Sequence, residues 1–286
     1  MLSSRTLLAL ALGLTTVACA HAGTKTEPVK LEPVSTGPAA GLEVGTQELS
    51  YDAGDAHLKG FLAFPASAID KRPGILVAHE WWGLNDHARN VARKLAELGY
   101  VALALDMYGD GKHTDHPADA KAWMMEIMQN PEAGKARFEA AKTALAADSH
   151  VDPTRLAAVG YCMGGALVLQ AARRGDDLKA VGSFHGNYAT QTPLQKGAFS
   201  GKIFVAHGGA DSFTTPEQLA ALKKELDDAG ANYDLVVYDG AKHGFTNPEA
   251  TAMGQKNGID VAYDAKADEA SWRKLQDVLA HAFNPG

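Results

Sequence analysis

From residue 45 onward, short apolar runs alternate with longer stretches in which apolar residues recur every three or four positions. Residues 45–50 and 58–64 read as two strands joined by the turn sequence DAGDA. After Pro73 comes GILVAHE, a continuous apolar run of the kind buried on both faces of a parallel sheet. Residues 86–98 place Val91, Leu95 and Leu98 on one helical stripe, with Gly99 as the stop. YVALALD (100–106) is the next strand, and residues 117–147 are helical with a break at Asn130-Pro131. Strands at 155–160, 180–184, 202–207 and 233–238 then alternate with helices at 163–173, 216–229 and 268–283. This alternation predicts an α/β fold, a mostly parallel sheet with helices on both faces. In such sheets functional groups collect at the carboxyl ends of the strands.

The N-terminal segment breaks the pattern. Residues 1–22 combine a basic start at Arg5, an apolar run from Leu7 to Leu14 and a small-residue end at Ala18, Ala20 and Ala22. That is the layout of an export signal, too short for a spanning helix, and it predicts a periplasmic or secreted protein. Cys19 stands where bacterial lipoproteins carry a lipid anchor. Thr16, however, occupies the place where such signals carry Leu, which favours ordinary cleavage. Residues 23–44 read as a flexible linker, leaving 45–286 as one domain. A net charge of −7 argues against nucleic acid or an anionic membrane surface as partner. Of the two cysteines only Cys162 outlasts signal removal, so no internal disulfide is available. A free thiol in an oxidising compartment is a liability unless it is used.

Four strand ends carry reactive side chains: His79 and Glu80, Cys162, Asp211 and His243. Nucleophile, acid, histidine is the chain order of α/β-hydrolases, whose nucleophile sits on a strand-to-helix elbow. Here the elbow is Gly160-Tyr161-Cys162-Met163-Gly164. A nucleophile there takes strained backbone angles, and side chains two positions to either side would clash, hence the glycines. The helix start beneath the sulfur favours a thiolate. An inert cysteine beside packing glycines is the competing explanation, and Asp211 and His243 at matching strand ends speak against it. Asp211 has a competing role as a helix cap, but Thr214 or Thr215 before Pro216 fills it more naturally. Asp211 is then free to orient His243. His113 and His116 share a polar loop without carboxylate support, so no metal is predicted, nor any organic cofactor. His185 and His207 also end strands and read as hydrogen-bonded structural histidines.

Together the segments ILVAHEWWGLND, GYCMGG, HGGAD and KHGF resemble the dienelactone hydrolase (carboxymethylenebutenolidase-like) family of α/β-hydrolases, from about residue 55 to the C-terminus. The resemblance implies Cys162 as nucleophile, His243 as base and Asp211 as its orienter. It also implies Glu80 as the glutamate that contacts the thiol when substrate binds, and the Trp81 and Met163 amides as oxyanion donors. Trp81, Trp82, Tyr108, Phe213 and Phe245 are expected to line an aromatic pocket, although adjacent tryptophans serve core packing equally well.

Two departures bear on substrate. The dienelactone enzymes grip a carboxylate with two arginines, and here Asp110 of DMYGD and Asn247 take those places. A carboxylate substrate loses two charge-assisted partners of ~1.5–3 kcal/mol each, and Glu80 loses an ion-pair partner. The sequence therefore predicts an exported hydrolase of a small ester or lactone, working through an acyl-enzyme. The alternative is a non-catalytic thiol protein, redox or ligand-binding, on the same fold. The absence of a resolving cysteine after signal removal weakens it.

Overall fold

The computed structural model describes residues 41–284; the export signal at 1–22 and nearly all of the linker at 23–44 lie outside the described residues. The chain opens with a hairpin, β1 (Val44–Ala53) and β2 (Ala56–Pro65), paired antiparallel from Val44↔Pro65 to Ala53↔Ala56. Its two-residue turn places Gly54 at φ 59, a conformation glycine adopts without strain. There follow β3 (Arg72–Ala78), α1 (Asp86–Glu97), β4 (Val101–Ala104), α2 (Pro117–Gln129), α3 (Pro131–Ala147), β5 (Val151–Tyr161) and α4 (Met163–Arg174). The chain closes with β6 (Ala180–Phe184), β7 (Lys202–Gly208), α5 (Pro216–Ala229), β8 (Tyr233–Tyr238), α6 (Ala250–Asn257) and α7 (Ala265–Phe283).

The eight strands form one sheet in the order β1-β2-β4-β3-β5-β6-β7-β8. β1–β2 and β2–β4 are antiparallel and every other pairing is parallel. Strand β3 supplies Leu76 to one face and Ile75 and Val77 to the other, so both faces need covering. Phe138 and Leu145 of α3, Val168 of α4 and Leu222 of α5 cover the first, while Val91 and Leu95 of α1 and Leu275 and Leu279 of α7 cover the second. The chain runs from β3 outward to β4, then crosses back to β5 on the other side of β3. The crevice beyond β3 and β5 is thus the switch point where doubly wound sheets bind ligands.

Three local differences from the sequence expectations have clear causes. Strand β4 stops at Ala104 because Asp106 turns the chain: its carboxylate accepts the N–H groups of Tyr108 (2.9 Å), Gly109 (2.9 Å) and Gly111 (2.7 Å). Helix α7 starts at Ala265, earlier than expected, because Asp264 caps it by accepting from Lys266 and Ala267. Helix α6 is unforeseen, a short element with no strong apolar stripe. The break at Asn130-Pro131 is where expected, with Asn130 closing α2 and capping α3 through Ala133 N–H.

Candidate active site

Strand β5 ends at Tyr161 and α4 begins at Met163, so Cys162 alone makes the corner. Its backbone sits at φ 54, ψ −114, a region L-residues avoid. Two glycines permit the corner. A Cβ on Gly160 would collide with the Gly164 carbonyl, and a Cβ on Gly164 would collide with the Ala78 carbonyl of β3. Gly164 N–H donates to the His79 carbonyl at 3.1 Å, pinning the start of α4 to the end of β3. The Arg173 side chain at the far end of α4 is buried in a two-point ion pair with Glu225 of α5, at 2.8 and 2.9 Å.

Asp211 and His243 arrive from β7 and β8, whose pairing runs to Gly208↔Tyr238. His243 Nδ1 donates to Asp211 Oδ2 at 2.9 Å, while Asp211 Oδ1 accepts from Phe213 N–H at 2.8 Å. The Asp211 side chain is wholly buried, and Thr215 rather than Asp211 caps α5, in a capping box with Gln218. Burial disfavours the charged imidazole of His243. The Cys162 charge, the Asp211 hydrogen bond, the Cys162 hydrogen bond and the Asp211 charge outweigh it, and the pKa is pushed up to about 10. Imidazole and carboxylate thus form a hydrogen-bonded pair, with the Cys162 charge acting on the imidazole.

Glu80 is buried and hydrogen-bonded, accepting from Asn247 Nδ2 at 2.7 Å. Residue 247 therefore offers Glu80 no ion pair, as expected from the sequence, and partners it instead as a neutral donor. Tyr108 is buried, and its hydroxyl lies 2.9 Å from the Trp81 carbonyl and 3.3 Å from Met163 Sδ. It spans the two residues whose amides the resemblance assigns to the oxyanion. Among the described residues neither the Trp81 nor the Met163 N–H donates to a protein acceptor. Phe213 is half exposed with its ring 4.8 Å from that of His243. Trp82 is 4% exposed and packs against Trp81. Phe245 is a correction to the expected pocket. Its ring is 0% exposed, packed against Tyr238 and His185, so no ligand-sized surface reaches it.

Sequence reasoning missed the brace under His243. The segment after α6 returns to pair Val261 with His243, and Ala262 N–H donates to the His243 carbonyl at 3.1 Å. Asp110 is exposed at φ 53, and Lys242 is committed to Asp260 at 2.6 Å. Among the described residues no three His, Cys, Asp or Glu side chains gather as metal ligands, and no helix is long and apolar enough to cross a membrane.

A mostly parallel sheet of this order, with a thiol on the elbow after β5 and a histidine–carboxylate pair after β8 and β7, defines an α/β-hydrolase. The chain belongs to the dienelactone hydrolase family, whose sequence model matches residues 58–283. It is accordingly a hydrolase acting on ester or lactone bonds of a small molecule. Protein usf of Aquifex pyrophilus is 28% identical over 206 residues, which span 70% of this chain and 87% of that one. A solved structure from metagenomic libraries, described as a dienelactone hydrolase-like promiscuous phosphotriesterase, is 31% identical with a TM-score of 0.79, covering 84% of this chain and 99% of its own. At 12% identity and a TM-score of 0.63, over 84% of this chain and 42% of its own, an acylaminoacyl peptidase of Pyrococcus horikoshii shares the fold alone.

Proposed function

We propose that the protein is an exported hydrolase of neutral esters or lactones that uses Cys162 as nucleophile. The observation that carries this reading is the elbow: a strained, partly exposed thiol at a helix start, whose charge acts on a histidine that a buried aspartate orients. The raised basicity of His243 favours the state in which imidazole holds the thiol proton. The thiolate then attacks the carbonyl carbon, and the oxyanion is received by the Trp81 and Met163 amides. Collapse expels the alkoxide, which takes the His243 proton, and leaves a thioester on Cys162. Water, deprotonated by His243, releases the acid and restores the thiolate. Glu80, held by Asn247 in the described state, is the carboxylate that turns toward the sulfur when substrate enters.

The test is turnover of a simple aryl ester, with iodoacetamide abolishing activity at one thiol per chain. Alkylation that leaves turnover intact sinks the assignment and returns the thiol to a redox or binding role.

The substrate preference follows from Asp110 and Asn247. With no arginine at either place and Lys242 bound to Asp260, kcat/KM is expected to be higher for a neutral ester than for its carboxylate-bearing analogue. The reverse ranking in paired assays overturns this. A neutral phosphotriester belongs in the same panel, given the activity named for the metagenomic relative.

Export is proposed from the basic start, apolar run and small-residue end of residues 1–22. N-terminal sequencing of the protein from its native host is expected to begin after the signal. Recovery with Met1 intact from the cytosol is the contrary outcome.

A further inference from the structure

Behind the cysteine–histidine–aspartate line runs a second polar chain that the proposed reaction does not use. His185 follows the last residue of β6, is fully buried, and stands at φ 38, where side chains other than glycine are rare. Its Nδ1 lies 3.1 Å from the Cys162 amide nitrogen and its Nε2 lies 2.9 Å from Thr246 Oγ1. The amide can only donate, so Nδ1 accepts, Nε2 carries the proton, and one neutral tautomer satisfies both contacts. Burial foremost, then the neighbouring His243 and His87, hold this imidazole well below its ordinary pKa, in keeping with that tautomer.

Both partners of His185 belong to segments that carry the reaction. The Cys162 N–H, shared with the Phe184 carbonyl at 3.0 Å, is part of the strained corner itself. Thr246 lies three residues after His243 on the same loop, and its carbonyl accepts from His87 Nε2 at 3.2 Å. The other His87 nitrogen has no hydrogen-bond partner among the described residues and faces Glu80 Oε2 at 3.9 Å. The parallel pair Tyr161↔Phe184 carries His185 to the side of Cys162, and its ring packs edge-on to His243 at 5.0 Å. One buried ring therefore touches the elbow and the histidine loop at once.

We propose that His185 is a positioning residue for the nucleophile, a neutral strut that accepts the Cys162 amide and donates to Thr246, so holding the elbow in register with the loop that bears His243. The proposal rests on the reading of Cys162 as nucleophile. A corner at φ 54 persists only where its surroundings over-determine it, and a hydrogen-bond acceptor fixed to the partner loop is such a restraint. A reacting sulfur displaced by about an ångström loses rate steeply even where substrate still binds, by ~10²-fold.

The experiment measures kcat and KM for an aryl ester in the chain freed of residues 1–22, where Cys162 is the one cysteine, with active enzyme counted by thiol titration, for His185→Phe, His185→Asn, Thr246→Val and Thr246→Ser. Phenylalanine keeps a ring but removes the acceptor; asparagine restores an acceptor near the place of Nδ1. His185→Phe is expected to lower kcat per titrated thiol by roughly 10- to 100-fold with KM within about twofold, and His185→Asn to recover a substantial part of that loss. Thr246→Val, which keeps shape but cuts the strut from the loop, is expected to lower kcat in the same sense, and Thr246→Ser to restore it. It gives an independent reading should His185→Phe not fold. Wild-type kcat per titrated thiol in the His185→Phe and Thr246→Val enzymes overturns the positioning role and leaves His185 purely structural. Iodoacetamide on the wild-type enzyme separates the two failures. Turnover that survives alkylation removes the nucleophile reading itself, whereas alkylation that abolishes turnover beside wild-type kcat in the variants removes only the strut.

Discussion

Cys162→Ala is expected to lower kcat for an aryl ester by on the order of 10⁴–10⁶-fold, the range seen when one member of a cooperating catalytic set is removed. The fold is expected to survive the change, because the strained φ of 54 is already borne by a residue with a Cβ and alanine adds no atoms there. Acid quench during the first turnover of the wild-type enzyme should trap an acyl group, located by peptide mass on Cys162. Two serines nearby in sequence or space offer alternatives that the structure makes unfavourable. Ser183 is fully buried, its Oγ tucked where a Cβ on Gly165 or Gly186 would strike it. Ser212 is turned to Asp260, donating at 2.8 Å. Full activity in Cys162→Ala, or an adduct on either serine, would falsify the thiol mechanism.

His243→Ala is expected to lower kcat by ~10²–10⁴-fold, the usual contribution of a positioned acid–base group, with little change in KM. The pH dependence adds a sharper check. In the proposed reaction the imidazolium donates to the departing alkoxide, so kcat/KM should fall as pH rises through about 10, where His243 loses its proton. A raised histidine pKa also stabilises the fold. That contribution is fully present below the unfolded value of ~6.5 and is lost as pH rises through about 10. Asp211→Asn removes the charge and weakens the hydrogen bond that help raise His243, so the alkaline limb should move to lower pH. Its effect on kcat should be smaller than that of His243→Ala, since the base itself remains. An alkaline limb that does not move in Asp211→Asn would separate Asp211 from His243 in solution.

The middle of the sheet was legible because its strands are buried on both faces and so read as unbroken apolar runs between helices with one apolar stripe. The elbow was legible for a different reason. Its glycines are demanded by backbone collisions two residues from Cys162, and such local constraints leave a local mark. Asp211 and His243 stood out because strand ends are where this fold gathers its chemistry, and the structure does pair them; Pro216 pointed to Thr214 or Thr215 as the cap, and it is Thr215. Helix α6 was not legible, since eight residues with weak amphipathicity look like loop.

What only the tertiary structure decided is pairing across long separations. Asn247 and Glu80 are 167 residues apart, and no periodicity or spacing says that an amide will meet that carboxylate. His185 and Thr246, 61 apart, meet because the loops after β6 and β8 converge across β7, which pairs with both strands, and a histidine after a strand looks the same whether it faces water, metal or a backbone amide. Phe245 shows the limit from the other side. Its place beside His243 suggested a pocket wall, yet the chain after His243 turns the ring into the core against Tyr238. Sequence alone determined which residue types the strand ends present, because backbone geometry and burial act locally. Which of them touch was decided by sheet order and register, because a hydrogen bond depends on distances that only the assembled strands set.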